Sequence, residues 1–192
     1  MVPNSETLTP NQAARRDRVL DAALVLAAEG GYDAVQMRDV ATRAQVALGT
    51  IYRYFASKDH LLAECQLELW RDLVEHLENR PLRGDTPAER VTTLLRRAMR
   101  AAEIEPQRTA ALVTASATPD PAVRECQVEI MELMDAALSA AMGDELDEAE
   151  KERVATTLRH VWFAALTGWV NGWSDQASVV EDLDAATHLL LD

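Results

Sequence analysis

Cysteine is nearly absent: Cys65 and Cys126 are the only two in 192 residues, in no CxxC or Cys–His spacing. A disulfide framework and a zinc-binding pattern are therefore excluded, and both thiols read as small core residues. No uninterrupted apolar run approaches the ~18 residues of a membrane-spanning helix. The first residues, MVPNSETLTPNQAARR, lack a leader's apolar stretch and cleavage pattern, so the chain is expected in the cytoplasm and off the membrane. Period-2 alternation is missing, which removes strands. The chemistry of an enzyme is missing too. His60, His76, His160 and His188 stand in no HExxH and beside no serine or cysteine nucleophile motif, and no glycine-rich phosphate loop occurs. The carboxylates of 144–152 read as a solvated acidic loop. No catalytic residue, metal or cofactor is expected.

Positive charge is also scarce, with a net charge of −13. Its distribution matters more than its sum. Residues 1–60 hold seven basic side chains (Arg15, Arg16, Arg18, Arg38, Arg43, Arg53, Lys58) and seven acidic ones, so they balance. The other 132 residues hold 12 basic and 25 acidic side chains and carry the whole excess. A polyanion can approach only the N-terminal third, and only where cations share one face.

What is present is helical periodicity almost throughout. Apolar residues make up 48%, enough to bury a core rather than leave the chain disordered. Val19, Leu20, Ala23, Leu24 and Ala27 mark a first helix that Gly30 and Gly31 stop. Residues 37–44 and 48–54 make two short helices around a tight turn at Gln45, Val46 and Ala47. Ser57 is an N-cap candidate for a long helix, with His60 where a capping box would carry Glu or Gln, so the box is half present. Leu61, Cys65, Leu69, Leu73 and Leu77 line that helix at i+4 steps, a stripe that would couple the N-terminal module to the rest. Pro81 and Pro87 bracket a break, and Asp85 or Thr86 can cap the helix that runs to about 104. Further helices span about 107–116, from Pro121 to 142, 147–173 and 178–191. The sum is an all-α chain of about nine helices.

The informative stretch is GGYDAVQMRDVATRAQVALGTIYRYFASKDH. Val40, Ala41, Ala44, Val46, Ile51 and Phe55 supply a small shared core. Two helices joined so tightly leave the second one projecting, with Gly49, Thr50, Tyr52, Arg53 and Tyr54 near or on its open side. Gly49 permits close backbone approach to DNA, and Thr50 offers a hydroxyl and a methyl. Tyr52 and Tyr54 offer phenols to phosphates or thymine methyls, and Arg53 and Lys58 supply charge. Gln36 would sit beside a phosphate at the start of the first short helix. The DNA-facing set is thus Gln36, Arg38, Ala47, Leu48, Gly49, Thr50, Tyr52, Arg53, Tyr54 and Lys58. Blander readings stand beside this one. Phe55 and Tyr52 can be core aromatics, Arg38 can pair with Asp33 or Asp39, and Arg15, Arg16 and Arg18 can touch flanking phosphates or simply end a helix.

The order Val40-Ala41, Ala44, Val46, Gly49-Thr50-Ile51-Tyr52, Phe55, Ser57-Lys58-Asp59, Leu61-Leu62 resembles the helix-turn-helix of the TetR family of regulators, over about residues 13–73. The resemblance implies an N-terminal three-helix DNA-binding domain at 13–73 and a ligand-binding and dimerisation domain at 74–192. It implies a homodimer whose last two long helices pack as a four-helix bundle, a near-palindromic double-stranded operator and a small-molecule effector. Within the family, LGTIYRYFASKDHLL and VWFAALTGWV resemble regulators of steroid and cholesterol breakdown, which implies a steroid-like or acyl-CoA effector. Gln36 departs from the family, which often has Thr or Ser there.

The C-terminal half is less specific. The stripe Val154, Leu158, Trp162, Leu166, Val170 and a second one, Val161, Ala165, Trp169, Trp173, suggest a helix buried on more than one side. Expected at a subunit interface are Val154, Leu158, Val161, Ala165, Trp173, Val179, Leu183, Ala186 and Leu190. Expected around an effector pocket are Met99, Leu112, Met131, Met134, Trp162, Leu166 and Trp169, with core packing as the alternative. The leading reading is a ligand-responsive repressor. An activator of the same fold, or a helical interaction protein with a degenerate motif, are its rivals.

Overall fold

The computed structural model describes residues 9–80 and 82–192, without the side chains of residues 78 and 79. The break read at Pro81 and the first eight residues of the leader reading lie outside these. The described residues form nine α-helices: α1 Pro10–Ala34, α2 Met37–Arg43, α3 Leu48–Tyr54, α4 Lys58–Asn79, α5 Pro87–Ile104, α6 Pro106–Ser116, α7 Pro121–Met142, α8 Glu148–Val170 and α9 Gln176–Leu191. None is long and apolar enough to cross a membrane.

Side-chain caps set most of the helix starts. Asp147 and Asp175 accept the amides of Glu150 (2.8 Å) and Ser178 (2.9 Å), and Thr86 accepts that of Glu89. Each such cap stabilises its helix by about 1 kcal/mol. At α4 the Ser57 hydroxyl accepts the His60 amide at 3.0 Å, and the His60 ring reaches back so that Nδ1 accepts the Ala56 amide at 3.0 Å. Histidine therefore supplies the returning half of a cap that the sequence left half present. In α1 the helical path breaks at Gly30 and at Gly31, whose φ of 68° suits only a residue without Cβ. Arg90 caps the far end of α7, donating to the Ala141 and Met142 carbonyls at 2.8 and 2.9 Å.

The described residues form two compact units. The first unit joins residues up to 68 with 105–128, and the second joins 69–104 with 129–192. Helices α4 and α7 each contribute a stretch to both. In the first unit α6 lies along α1, with Ala111, Leu112 and Ala115 buried, as are Val19, Leu20, Ala23 and Ala27. In the second unit α9 packs on α5 and α8, and Trp70 meets Trp162 edge to face at 6.2 Å.

A charged group is buried in the first unit. Arg16, 8% exposed, donates to Glu64 at 2.5 Å and Glu68 at 2.8 Å, tying α1 to α4. Burial opposes the Arg16 charge, but the two carboxylates outweigh it and raise its pKa. Burial likewise opposes the Glu64 charge, while hydrogen bonding from His60 and the Arg16 charge win and hold Glu64 below the ordinary 4.5. A depressed carboxylate stabilises the fold above its unfolded pKa and loses that stabilisation as pH falls through the folded value. Glu64→Gln should therefore lower the unfolding free energy at pH 7 by about 2 kcal/mol, and the difference from wild type should shrink below pH ~4. Urea melts across pH check both, and a pH-independent difference would contradict the assignment.

Candidate nucleic-acid interface

Helix α2 is capped by Ala44, and a turn of Gln45, Val46 and Ala47 leads into α3. Gln45 adopts φ 55°, and the Val46 amide donates to the Ala41 carbonyl at 3.0 Å, which closes the turn. Ile51 and Phe55 (0% and 1% exposed) anchor α3 on Val40, Ala41 and Ala44, all buried. Each of the two large side chains stabilises the docked helix by about 1.5–3 kcal/mol. Val46, expected in this core, is only half-buried. Phe55 also meets the His60 ring edge-on at 5.9 Å.

The side of α3 away from this core carries Gly49, Tyr52 and Arg53, all exposed, with Tyr52 52% open and Leu48 and Thr50 half-buried. Ala47, Arg38 and Gln36 are exposed beside them. The Gln36 carboxamide donates to the Asp33 carbonyl at 2.9 Å. Tyr54, expected on the open side, is instead 3% exposed. It lies three residues after Ile51, so the helical turn brings it back over the core.

Charge is arranged more selectively than a count suggests. Arg16 is spent inside the unit, as described above, so it is withdrawn from any phosphate. Arg43 forms a two-bond pair with Glu29 at 2.8 and 3.0 Å. Lys58 is half-buried: its Nζ sits 3.5 Å from the centre of the Tyr32 ring and donates to the Tyr32 carbonyl at 3.2 Å. The Tyr32 hydroxyl donates to Asp59 at 2.5 Å, and burial together with that carboxylate pushes its pKa up to about 12. This clasp joins the end of α1 to the start of α4. Arg18 donates to the Ala44 and Ala14 carbonyls at 3.4 and 3.2 Å and keeps its charge exposed. Arg15, Arg38 and Arg53 are exposed and form no ion pair with any described residue. Neither Asp33 nor Asp39 takes Arg38.

One cluster has a metal-like donor set: His60, Glu64 and Cys126, with ligand atoms within 4.8 Å of one another. Because His60 Nδ1 accepts an amide N–H, the ring proton sits on Nε2, which faces Glu64 Oε1 at 3.4 Å. A protonated ring nitrogen cannot ligate a cation, so the cluster is a hydrogen-bonded strut in this arrangement. Burial pushes the neighbouring Cys65 thiol pKa up, which makes it a poor thiolate.

The residues expected at a subunit interface divide. Val154, Leu158, Val179 and Leu183 are buried within their own unit, which corrects that assignment. A stripe shows that a helix face is covered and not whether self or partner covers it. Val161, Ala165 and Ala186 are half-buried, while Trp173 and Leu190 are 77% and 39% exposed. Phe163 (50%) and Leu189 (86%) are exposed as well. Of the expected pocket residues, Met99, Met134, Trp162 and Leu166 are buried, Met131 and Trp169 half-buried, and all six belong to the second unit. Leu112 is buried in the first unit. Arg159, not expected there, donates to Asp135 at 3.0 Å and to the Met131 sulfur at 3.1 Å. A surface hollow of about 640 Å³ lies at the start of α9, lined by Asp175, Gln176, Ala177, Val180 and Glu181, none of them expected.

Residues 19–65 match the family described as bacterial regulatory proteins, tetR family, and residues 84–190 match the tetracyclin repressor-like C-terminal domain. Over its whole length, and 94% of the relative's, the chain is 34% identical to the transcriptional repressor KstR of Mycolicibacterium smegmatis. A TetR transcriptional regulator from Rhodococcus sp. RHA1 has a TM-score of 0.84 at 29% identity, covering 94% of this chain and 97% of that one. Thermus thermophilus FadR, solved in complex with lauroyl-CoA, shares the fold at a TM-score of 0.72 and 22% identity, over 91% of this chain and 92% of that one.

A Cβ built on Gly49 meets nothing within 4 Å, so the fold itself does not require glycine there. Gly49→Ala should raise stability by about 0.5 kcal/mol while weakening DNA binding about tenfold. Thermal melts and a binding titration check the pair, and unchanged affinity would mean that nothing approaches this backbone closely.

Proposed function

Since the chain belongs to the tetR family of bacterial regulatory proteins, a family of transcriptional regulators and not of enzymes, we propose that it is a ligand-released repressor. Two copies bind one near-palindromic operator, each laying α3 in the major groove, with reading heads about one helical turn (~34 Å) or a multiple of it apart. The observation that carries this is the open side of α3. Gly49, Tyr52 and Arg53 stand exposed beside Arg38, on a chain whose negative excess lies wholly beyond residue 60. Tyr52, Arg38, Arg53 and Arg15 supply phosphate and base-edge contacts, and Thr50, Leu48 and Ala47 fill the groove. Lys58, half-buried on the Tyr32 ring, and Gln36 each spend one N–H within the protein and are less ready for a phosphate than the exposed arginines.

The second copy meets α8, α9 and the turn between them through Phe163, Trp173, Leu189 and Leu190. Large apolar side chains so open to water favour a partner, and a twofold axis makes the same patch serve both copies. Met99, Met131, Met134, Trp162, Leu166 and Trp169 wall the effector site. The effector is a small apolar molecule, steroid-like or an acyl-CoA thioester. The steroid form follows the sequence resemblance given above, and the lauroyl-CoA bound by Thermus thermophilus FadR favours the thioester form. Because α4 and α7 belong to both units, a ligand that binds one arrangement of them more tightly shifts the reading heads and lowers operator affinity.

A gel shift with DNA from the chain's own upstream region tests the DNA claim. Three or four available cations per copy set a log–log salt slope of about −5 to −7, against about −13 if all seven basic residues engaged. A steroid-ring CoA thioester should release the complex. Absence of sequence-selective binding would overturn the reading. Sedimentation tests the interface: Phe163→Glu with Leu189→Glu should give a folded monomer, and a persistent dimer would place the contact elsewhere.

A further inference from the structure

The ring of Tyr54 is buried against Phe55, centroids 6.2 Å apart, and 3% of the residue is exposed. Its hydroxyl nevertheless meets the outside of α3. It accepts an N–H from Arg53 Nη2 at 3.3 Å, and the Arg53 guanidinium carbon lies 5.3 Å from the Tyr54 ring centre. A phenol fixed in the core cannot follow a groove, whereas Arg53 is exposed and forms no ion pair with any described residue. We propose that Tyr54 is a positioning residue: it does not touch DNA but holds the Arg53 guanidinium ready for its DNA contact. The inference rests on the DNA reading given above.

The physical basis is preorganisation. A free arginine side chain samples many rotamers, and that freedom is lost when it binds. One hydrogen bond and the face of an immobile ring narrow the ensemble beforehand. They occupy one of five donors, and the others remain for a phosphate or for the O6 and N7 edge of guanine. Tyr54 therefore matters to recognition only through its neighbour, unlike a phenol that donates to a phosphate itself.

A double-mutant cycle separates these roles. The probe is a duplex selected by the wild-type protein from a random-sequence pool. Tyr54→Phe keeps the buried ring and removes only the hydroxyl, so the melting temperature should hold. Affinity should fall about fivefold when Arg53 is present and not at all in an Arg53→Ala background. Arg53→Ala should reduce the salt slope by about two for a pair of copies, while Tyr54→Phe leaves it unchanged. Equal losses in both backgrounds would overturn the inference, since the hydroxyl would then act without Arg53, and so would no loss in either. A pool in which the wild type enriches no sequence would sink the DNA reading and this inference with it. Enrichment with additive losses would sink the inference alone.

Discussion

Burial of Ile51, Tyr54 and Phe55 along one side of the chain from α3 into its C-cap determines what that helix can show outside. A helix of seven residues has too few hydrogen bonds to persist alone in water. It exists because apolar side chains dock it on Val40, Ala41 and Ala44. Once those contacts are made, Gly49, Tyr52 and Arg53 have no freedom to face elsewhere. The turn geometry at Gln45 sets how α3 leaves α2, and the clasp of Tyr32, Lys58 and Asp59 joins the end of α1 to the start of α4.

Electrostatics then decides how the presented face can be used. The acidic majority of the chain would repel a polyanion, but exposed charges farther apart than ~8 Å are largely screened at physiological salt. Close range is what counts. There Arg16 and Arg43 are paired with carboxylates and Lys58 is held on Tyr32, while Arg15, Arg38 and Arg53 keep their charge outward. A small set of available cations with exposed Tyr52 gives recognition that leans on shape and base edges more than on bulk attraction.

The helices, the turn and the cluster of Val40, Ala44, Ile51 and Phe55 were legible in the sequence because each is a local pattern of period or capping. The family resemblance was equally legible, carried by a contiguous motif. Other features depend on distant residues. Arg16 read as a surface cation because its partners, Glu64 and Glu68, lie on α4, about fifty positions away. Tyr54 read as outward because a tyrosine's polar tip says nothing about where its ring is anchored. Val154, Leu158, Val179 and Leu183 read as interface because a buried stripe looks the same whether its cover is the same chain or another. Leu189 escaped notice because it falls outside the stripes, where the fold leaves it bare.

Methylation interference on a bound duplex addresses the central claim most directly, since guanine N7 lies in the major groove and adenine N3 in the minor. If α3 of each copy enters the major groove, N7 methylation should block binding at two sets of guanines, one turn or a whole number of turns apart. Interference confined to adenine N3, or none at any base, would contradict the account.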